Sequence, residues 1–379
     1  MLLKYLEELM LLLDEKENLV AERKENIRKV WNYEPVDHIP VVMSVDWVPW
    51  EKTYQQEFED GFFQLQNRIF SLYRSLECLP DDYIPTVFLD VGCVGIAEAF
   101  GGKVFLGDNP EQTPGIEKPR VADRDELEII LGNTWEPDFS RGLAYEYLKR
   151  ASNCLQVTNG KVYISGLDFN GPIGVAMDLL GSSLLFELLL DEDPLLGILL
   201  GKITKSILTF TDLMIKKTGS VDRYTTFDFF WYWCPVKGHV SSDVSSMYAG
   251  NYFEKIEKPF LEQILNKYGG GLLHNCGPNP CTENYASLSG LRGINVSYRY
   301  SKGDLKAFRR HLAGKVIYFF MDDHDENESI EDFTKIMDQL APDVIGIPIV
   351  SVLDPKVNVT ELYCAYRRIA QEYAYRVFG

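Results

Sequence analysis

Residues 269 to 281 read GGGLLHNCGPNPC, a short stretch that holds one histidine and two cysteines. In an extended strand residues i and i+2 face the same way, so His274 and Cys276 project to one side, about 7 Å apart at their Cα atoms. An imidazole and a thiolate at that separation suit a single zinc ion, and Cys281, beyond a proline-stiffened loop, offers a further sulfur. Two or three protein ligands leave a coordination position open, as catalytic rather than structural zinc requires. The pair alone is a weak motif, because a histidine bonded to a carbonyl beside a packed cysteine gives the same letters. Two features add to it. Gly277 and Pro278 turn the chain just past the pair, and TENYASL begins a helix whose N-terminus favours an anionic thiolate. Upstream, HVSSDVSSMY places Asp243 in the loop after the preceding strand, as a further metal ligand, a partner of His274, a substrate contact, or simply the cap of the helix that follows.

The elements that must position these groups can be read from alternation. Apolar β-rich runs occur at IPVVMS (39 to 44), YIPTVFLD (83 to 90), VYISGL (162 to 167), YTTFDF (224 to 229), GLLHNC (271 to 276), GINVSY (293 to 298), VIYFFM (316 to 321) and VIGIPIV (344 to 350). Helical patterns separate them, among them NYFEKIEKPFLEQILNKY, DLKAFRRHL and SIEDFTKIMDQL. Alternating strand and helix implies parallel strands with crossover helices, and eight units point to an α/β fold of the (β/α)8 TIM-barrel type, with a doubly wound open sheet as the alternative. In such barrels the working side chains sit at the C-terminal ends of strands. Those ends carry Ser44 and Asp46, Asp90, Asp168, Asp228, His274 with Cys276, Tyr298, Asp322 with Asp323, and Ser351. Asp46, Asp228 and Asp243 are the candidate acid–base residues. Acids and serines also cap helices at such places, so their recurrence carries more weight than any single residue. Aromatic residues crowd the same ends: Trp231 and Trp233 in FDFFWYWCPV, and Trp47 after the first strand, are candidates for holding a ring-bearing substrate or cofactor.

Residues 1 to 35 form an amphipathic helical prefix, and residues 36 to 379 the barrel, with no repeat, low-complexity tract or linker dividing them. The excursion after the second strand, about seventy residues holding GGKVFLGDNPEQTPGIEKP, reads as a lid or pocket wall. Fifty-six acids against thirty-eight Lys and Arg give a net charge of -18, which repels nucleic acid and anionic membranes. The greasy stretch DLLGSSLLFELLLDEDPLLGILLG is interrupted by Glu187, Asp191, Glu192, Asp193 and Pro194, so one helix cannot span a bilayer with it. Seven cysteines, five of them scattered, imply a reducing cytoplasm. Walker-type phosphate loops and a G-x-S-x-G elbow are absent.

PVDHIPVVMS, NGPIGVAMDLLGSSLLFELLLDEDPLL, FLEQILNKYGGGLLHNCG and LSGLRGINVSY together resemble the uroporphyrinogen decarboxylase superfamily of (β/α)8 barrels, from about Pro35 to the C-terminus. Within it, HxCG at the end of the fifth strand is similar to the zinc-binding corrinoid methyltransferases, including methylcobamide:coenzyme M methyltransferases and the methyltransferase components of O-demethylase systems. The resemblance implies His274 and Cys276 as zinc ligands, a separate corrinoid protein as partner that carries the cobalamin, a small methyl donor or acceptor, and a homodimer. It also implies a third cysteine near the eighth strand, where IGIPIVSVLDP has none, so Cys281, Asp243 or Cys234 must complete the set. The decarboxylase of the superfamily holds its polyanionic substrate with an arginine-rich N-terminal segment, whereas SVDWVPWEKTYQQEFEDGFF here is acidic and repels such a substrate. The expected function is therefore zinc-dependent methyl transfer. The alternatives are a metal-free lyase using strand-end aspartates and a non-catalytic relative that binds a corrinoid protein.

Overall fold

The computed structural model describes residues 2–45, 47, 52–225, 232–248, 250–321, 326–352 and 357–379. Its strands are β1 (Val42–Val45), β2 (Thr86–Val87), β3 (Val104–Phe105), β4 (Gly115–Ile116), β5 (Tyr163–Ser165), β6 (Tyr224–Thr225), β7 (Gly238–Ser241), β8 (Gly271–Asn275), β9 (Leu291–Ser297), β10 (Val316–Met321) and β11 (Ile345–Val352). Six of them form one parallel sheet in the order β1-β11-β10-β9-β8-β7, and β2-β5-β6 form a second parallel sheet. The parallel α/β alternation expected from the sequence is present. The closed eight-stranded ring is not: among the described residues no ladder joins β1 to β2 or β6 to β7. The residues that follow β6 lie outside those described, and β2 is only two residues long, bounded by Pro85, which has no N–H to extend a ladder.

One strand was not anticipated. β7 occupies GHVS, a segment with one apolar residue, yet it pairs in parallel with β8 from Gly238 opposite Gly271 to Ser241 opposite His274. All four of its residues are buried. Gly238 is required by closeness: a Cβ there would stand 3.0 Å from the carbonyl oxygens of Ile264 and Leu265 in the helix Lys258–Lys267.

The greasy central stretch folds as two helices. Asp193 accepts a hydrogen bond from the Leu195 amide at 2.9 Å and, with Pro194 at the first helical position, starts the helix Pro194–Thr218, separating it from Pro172–Leu190. The helix 172–190 is long and apolar enough to cross a membrane, but 56% of its most apolar window is buried inside the protein, and Gly181 interrupts it with φ 74°. Two N-terminal helices, Leu2–Glu15 and Glu17–Trp31, lead into β1. The second ends beneath the large sheet, where the Trp31 indole N–H donates to the Tyr318 hydroxyl at 3.2 Å. Its ring faces Gly293, where a Cβ would lie 2.8 Å from the indole and 2.4 Å from the Val316 carbonyl oxygen. The long excursion after β2 contains the β3–β4 hairpin. Its Pro110 carbonyl accepts from the Gln55 amide at 2.9 Å, which ties it to the helix Tyr54–Glu59.

Candidate functional site

In-register parallel partners point to the same face, so the pairings Ser241 with His274, His274 with Asn295, and Asn295 with Tyr318 place one rung of side chains across four strands. His274 is buried on this rung, and the chain leaves β8 one residue later, so Cys276 stands exposed on the turn. Asp243 opens the 3₁₀ turn Asp243–Met247 just past β7. The ligand atoms of Asp243, His274 and Cys276 all lie within 4.8 Å of one another. His274 Nε2 is 3.7 Å from Asp243 Oδ1, the same oxygen that accepts the Cys276 amide at 2.8 Å, while the Ser241 hydroxyl donates to Asp243 Oδ2.

The imidazole tautomer follows from its neighbours. Asn295 Nδ2 donates to the Tyr318 carbonyl oxygen at 3.4 Å, which leaves Asn295 Oδ1 as the acceptor 2.6 Å from His274 Nδ1. Nδ1 therefore carries a proton, and it is Nε2, on the side of Asp243, that presents the lone pair when the ring is neutral. That is the state a zinc ligand requires, with an outer hydrogen bond that fixes the ring. The donor set of one nitrogen, one sulfur and one carboxylate oxygen fits zinc and leaves a fourth position open.

Charge around the cluster is acidic. Burial, and then the charges of Asp90 and Asp243, hold the Asp168 carboxyl well above the ordinary carboxylate range. Burial also raises Asp90, against the Gly92 amide, which donates to Asp90 Oδ1 at 2.7 Å, while the Tyr54 hydroxyl donates to the same oxygen at 3.1 Å. At Asp243 burial works upward but is outweighed by the charge of His274 in its protonated form, the Ser241 hydroxyl and the Cys276 amide, which hold the carboxyl low. Desolvation, followed by the charge of Asp243, pushes the Cys276 thiol up. A divalent cation reverses that preference, because a coordinating thiol is deprotonated outright. Asp243, the carboxyl of this group that is held low, supplies the negative charge that draws such an ion.

Behind the Asp243 and Cys276 turns lies a buried polar network. Ser242 Oγ donates to Glu257 at 2.9 Å, and the Tyr248 hydroxyl donates to the same carboxylate. Asn275 Nδ2 donates to the Tyr285 hydroxyl at 2.9 Å, and that hydroxyl meets Ser245 Oγ at 2.7 Å. The network ties the Asp243 turn to the Cys276 turn, and satisfied buried networks of this kind hold geometry tightly.

The structure sorts the remaining candidates. Cys281 is fully buried and its thiol donates to the carbonyls of Ser245 at 3.5 Å and Tyr248 at 3.8 Å; of the three candidates for a third ligand, it is Asp243 that lies with His274 and Cys276. Cys234 is also buried, beside Lys237 and the Tyr318 side chain, ahead of β7 rather than after it. Trp233 lies there too, under the cations of Lys24 at 5.0 Å and Arg28 at 5.6 Å, rather than at the mouth. It precedes β7, and residues before a parallel strand belong to the opposite rim from residues after it. Trp47 packs sideways, donating to Ser75 Oγ at 3.0 Å beneath the Arg74 guanidinium. Asp46, Asp228 and Trp231 lie outside the described residues, as do Asp322 and Asp323. Asn295, Asn275, Tyr285 and Glu257 escaped the sequence reading. The one available signal was an asparagine at a position of β9 otherwise patterned apolar.

No family profile matches the chain, and no curated protein matches it. Among solved structures, a methyltransferase from Methanosarcina mazei superposes with a TM-score of 0.65 at 16% identity, covering 92% of this chain and 97% of its own. The two share a fold. A B12-independent methionine synthase from Shewanella sp. W3-18-1, solved with selenomethionine, covers 90% of this chain and 93% of its own at 11% identity, but its TM-score of 0.42 is too low to bear on the architecture.

Proposed function

We propose, from a fold shared with a methyltransferase and a three-ligand cluster at its strand ends, that this chain is a zinc-dependent methyltransferase. It moves a methyl group between a small donor, a methoxylated aromatic being one candidate, and the cobalt of a corrinoid carried by a separate protein. Asp243, His274 and Cys276 hold the zinc. The observation that carries the reading is the tautomer lock: Asn295 keeps the His274 proton on Nδ1 and the Nε2 lone pair on the side of Asp243.

Zinc held by one nitrogen, one thiolate and one carboxylate supplies Lewis acidity toward the oxygen or nitrogen that a methyl group leaves, or lowers the pKa of a thiol acceptor. The mixed donor set favours the first use, since fewer thiolates leave the ion more electrophilic. The chain's own residues do the rest. Ser241 and the Cys276 amide hold Asp243 ionised, Asn295 orients the imidazole, and Asp168, kept protonated by burial beside Asp90, has a proton to give to a departing group.

The test is elemental analysis of anaerobically purified protein. About one zinc per chain is expected, lost in Cys276→Ser and Asp243→Ala and retained in Cys281→Ser, followed by methyl transfer from candidate donors to cobalt(I) corrinoid. Protein that carries no metal and cannot be loaded with zinc overturns the proposal in favour of a metal-free lyase centred on Asp90 and Asp168. A zinc-loaded protein that binds a corrinoid protein without turnover favours the non-catalytic relative.

A further inference from the structure

At the end of the strands opposite the metal-ligand cluster, a cavity of about 390 Å³ opens between the second N-terminal helix, the start of β5 and the turn before β6. Its lining has two characters. Val20 and Ala21 of the helix, with Pro85 and Val162, give an apolar floor, while Lys24, Arg28, Lys161 and Arg223 bring four cations to one opening. On a chain of net charge -18 such a concentration of positive charge is unusual.

The cations are built in rather than scattered. Lys24 Nζ donates to the Tyr163 hydroxyl at 2.7 Å and stands 4.6 Å from the Tyr163 ring and 5.0 Å from the Trp233 ring. The Arg28 guanidinium lies 5.6 Å from the same indole, and its nearest carboxylate, Glu25, is 4.0 Å away. Arg223 donates to the Gly160 carbonyl, and Lys161 pairs with Asp14. Of the two carboxylates in the lining, Asp14 is thus engaged, and Glu17 is the other. Behind Trp233 the buried Lys237 ammonium is pushed down to about 8, first by burial, with the positive charges of Lys24 and Arg28 adding to it.

We propose that this cavity binds an organic phosphate, with its phosphate on Lys24 and Arg28 and its apolar body on the floor formed by Val20, Ala21 and Val162. Guanidinium and ammonium groups at one opening are the usual phosphate partners, and the volume lies within the range of small-ligand sites. The ligand bridges the N-terminal helices to β5 and the β6 turn, so it stabilises their docking by mass action. The site is independent of the methyl-transfer reading, since it shares no residue with the cluster of Asp243, His274 and Cys276.

The experiment is calorimetric titration of the full chain with AMP, ATP and adenosine at low salt. AMP and ATP are expected to bind with dissociation constants below about 1 mM, more weakly as salt rises, and adenosine at least about tenfold more weakly than AMP. Arg28→Gln, an exposed change that leaves the fold intact, and Lys24→Gln are each expected to weaken AMP binding about tenfold or more, whereas Lys255→Gln, on a distant surface, leaves it unchanged. Zinc content, measured alongside, is unaffected by all three. The proposal is overturned if neither nucleotide binds at about 5 mM, if adenosine binds as well as AMP, or if neither Arg28→Gln nor Lys24→Gln alters the affinity.

Discussion

Asn295 shows how a residue without ligand chemistry decides what its neighbour can do. Its amide is oriented by a backbone carbonyl and in turn orients an imidazole proton. Asn295→Leu removes the acceptor and leaves the Nδ1 proton buried without one, so zinc affinity should fall about 10- to 100-fold, read by competition with a chelator, while Asn295→Asp should retain binding. That His274 and Cys276 lie close together was legible in the sequence, because strand geometry fixes what i and i+2 do. Asp243 was legible as a candidate but its role was not, since a carboxylate after a strand serves equally as helix cap. The position of Cys281 was not legible for a related reason: proximity in sequence says nothing about which way a loop turns, and its thiol donates to the carbonyls of Ser245 and Tyr248. Lys237 permits a prediction of pH dependence. Its folded pKa, about 8, lies below the ordinary lysine value of 10.5, so the unfolded chain binds more protons between those limits. Its contribution to stability therefore rises with pH from about 8 toward 10, at up to roughly 1.4 kcal/mol per unit. Urea unfolding of wild type and Lys237→Met at several pH values checks this: the stability difference, wild type minus variant, should increase across that window.

At the scale of elements, β7 is the instructive miss. Strand propensity favours β-branched and aromatic residues, and GHVS offers one valine with a glycine, a histidine and a serine. What makes it a strand is its place between the helix Lys258–Lys267, which comes too close to Gly238 for a side chain, and β8, whose register it must match to bring Ser241 beside His274. Such tertiary reasons leave no local mark. The same strand explains the glycine before the helix Pro172–Leu190: a Cβ at Gly171 would lie 1.8 Å from the Ser241 carbonyl oxygen. Gly171→Ala should therefore destabilise the fold by about 1–3 kcal/mol and also reduce zinc occupancy, because the displaced carbonyl belongs to the residue that holds Asp243. Thermal unfolding and metal content, measured together, test both halves. The break in the greasy stretch at Asp193 and Pro194, by contrast, was legible, since a capping acid followed by proline is a local signal.

For the whole molecule, alternation of strand and helix was enough to give a parallel α/β architecture with polar groups at the strand ends, and the likeness to a solved methyltransferase supports that fold. The closed barrel expected from that alternation is not present among the described residues, because closure depends on ladders between short strands and on long-range register that local patterns do not set. The docking of the N-terminal helices was foreseen only as a helical prefix. Trp31, 3% exposed, anchors them against Tyr318 and Gly293, so Trp31→Ala should cost about 3–5 kcal/mol, measurable by denaturant titration. One feature of the rung through Ser241, His274, Asn295 and Tyr318 bears on how such a protein changes over generations. The groups that orient the imidazole sit on consecutive strands of a hydrogen-bonded sheet, while the turns that follow those strands hang beyond it. Insertions elsewhere in those turns, clear of Asp243 and Cys276, leave the rung's register untouched, so descendants can change what the turns contact while inheriting the same oriented imidazole. Exchange of such loop segments between relatives is the engineering counterpart of that freedom.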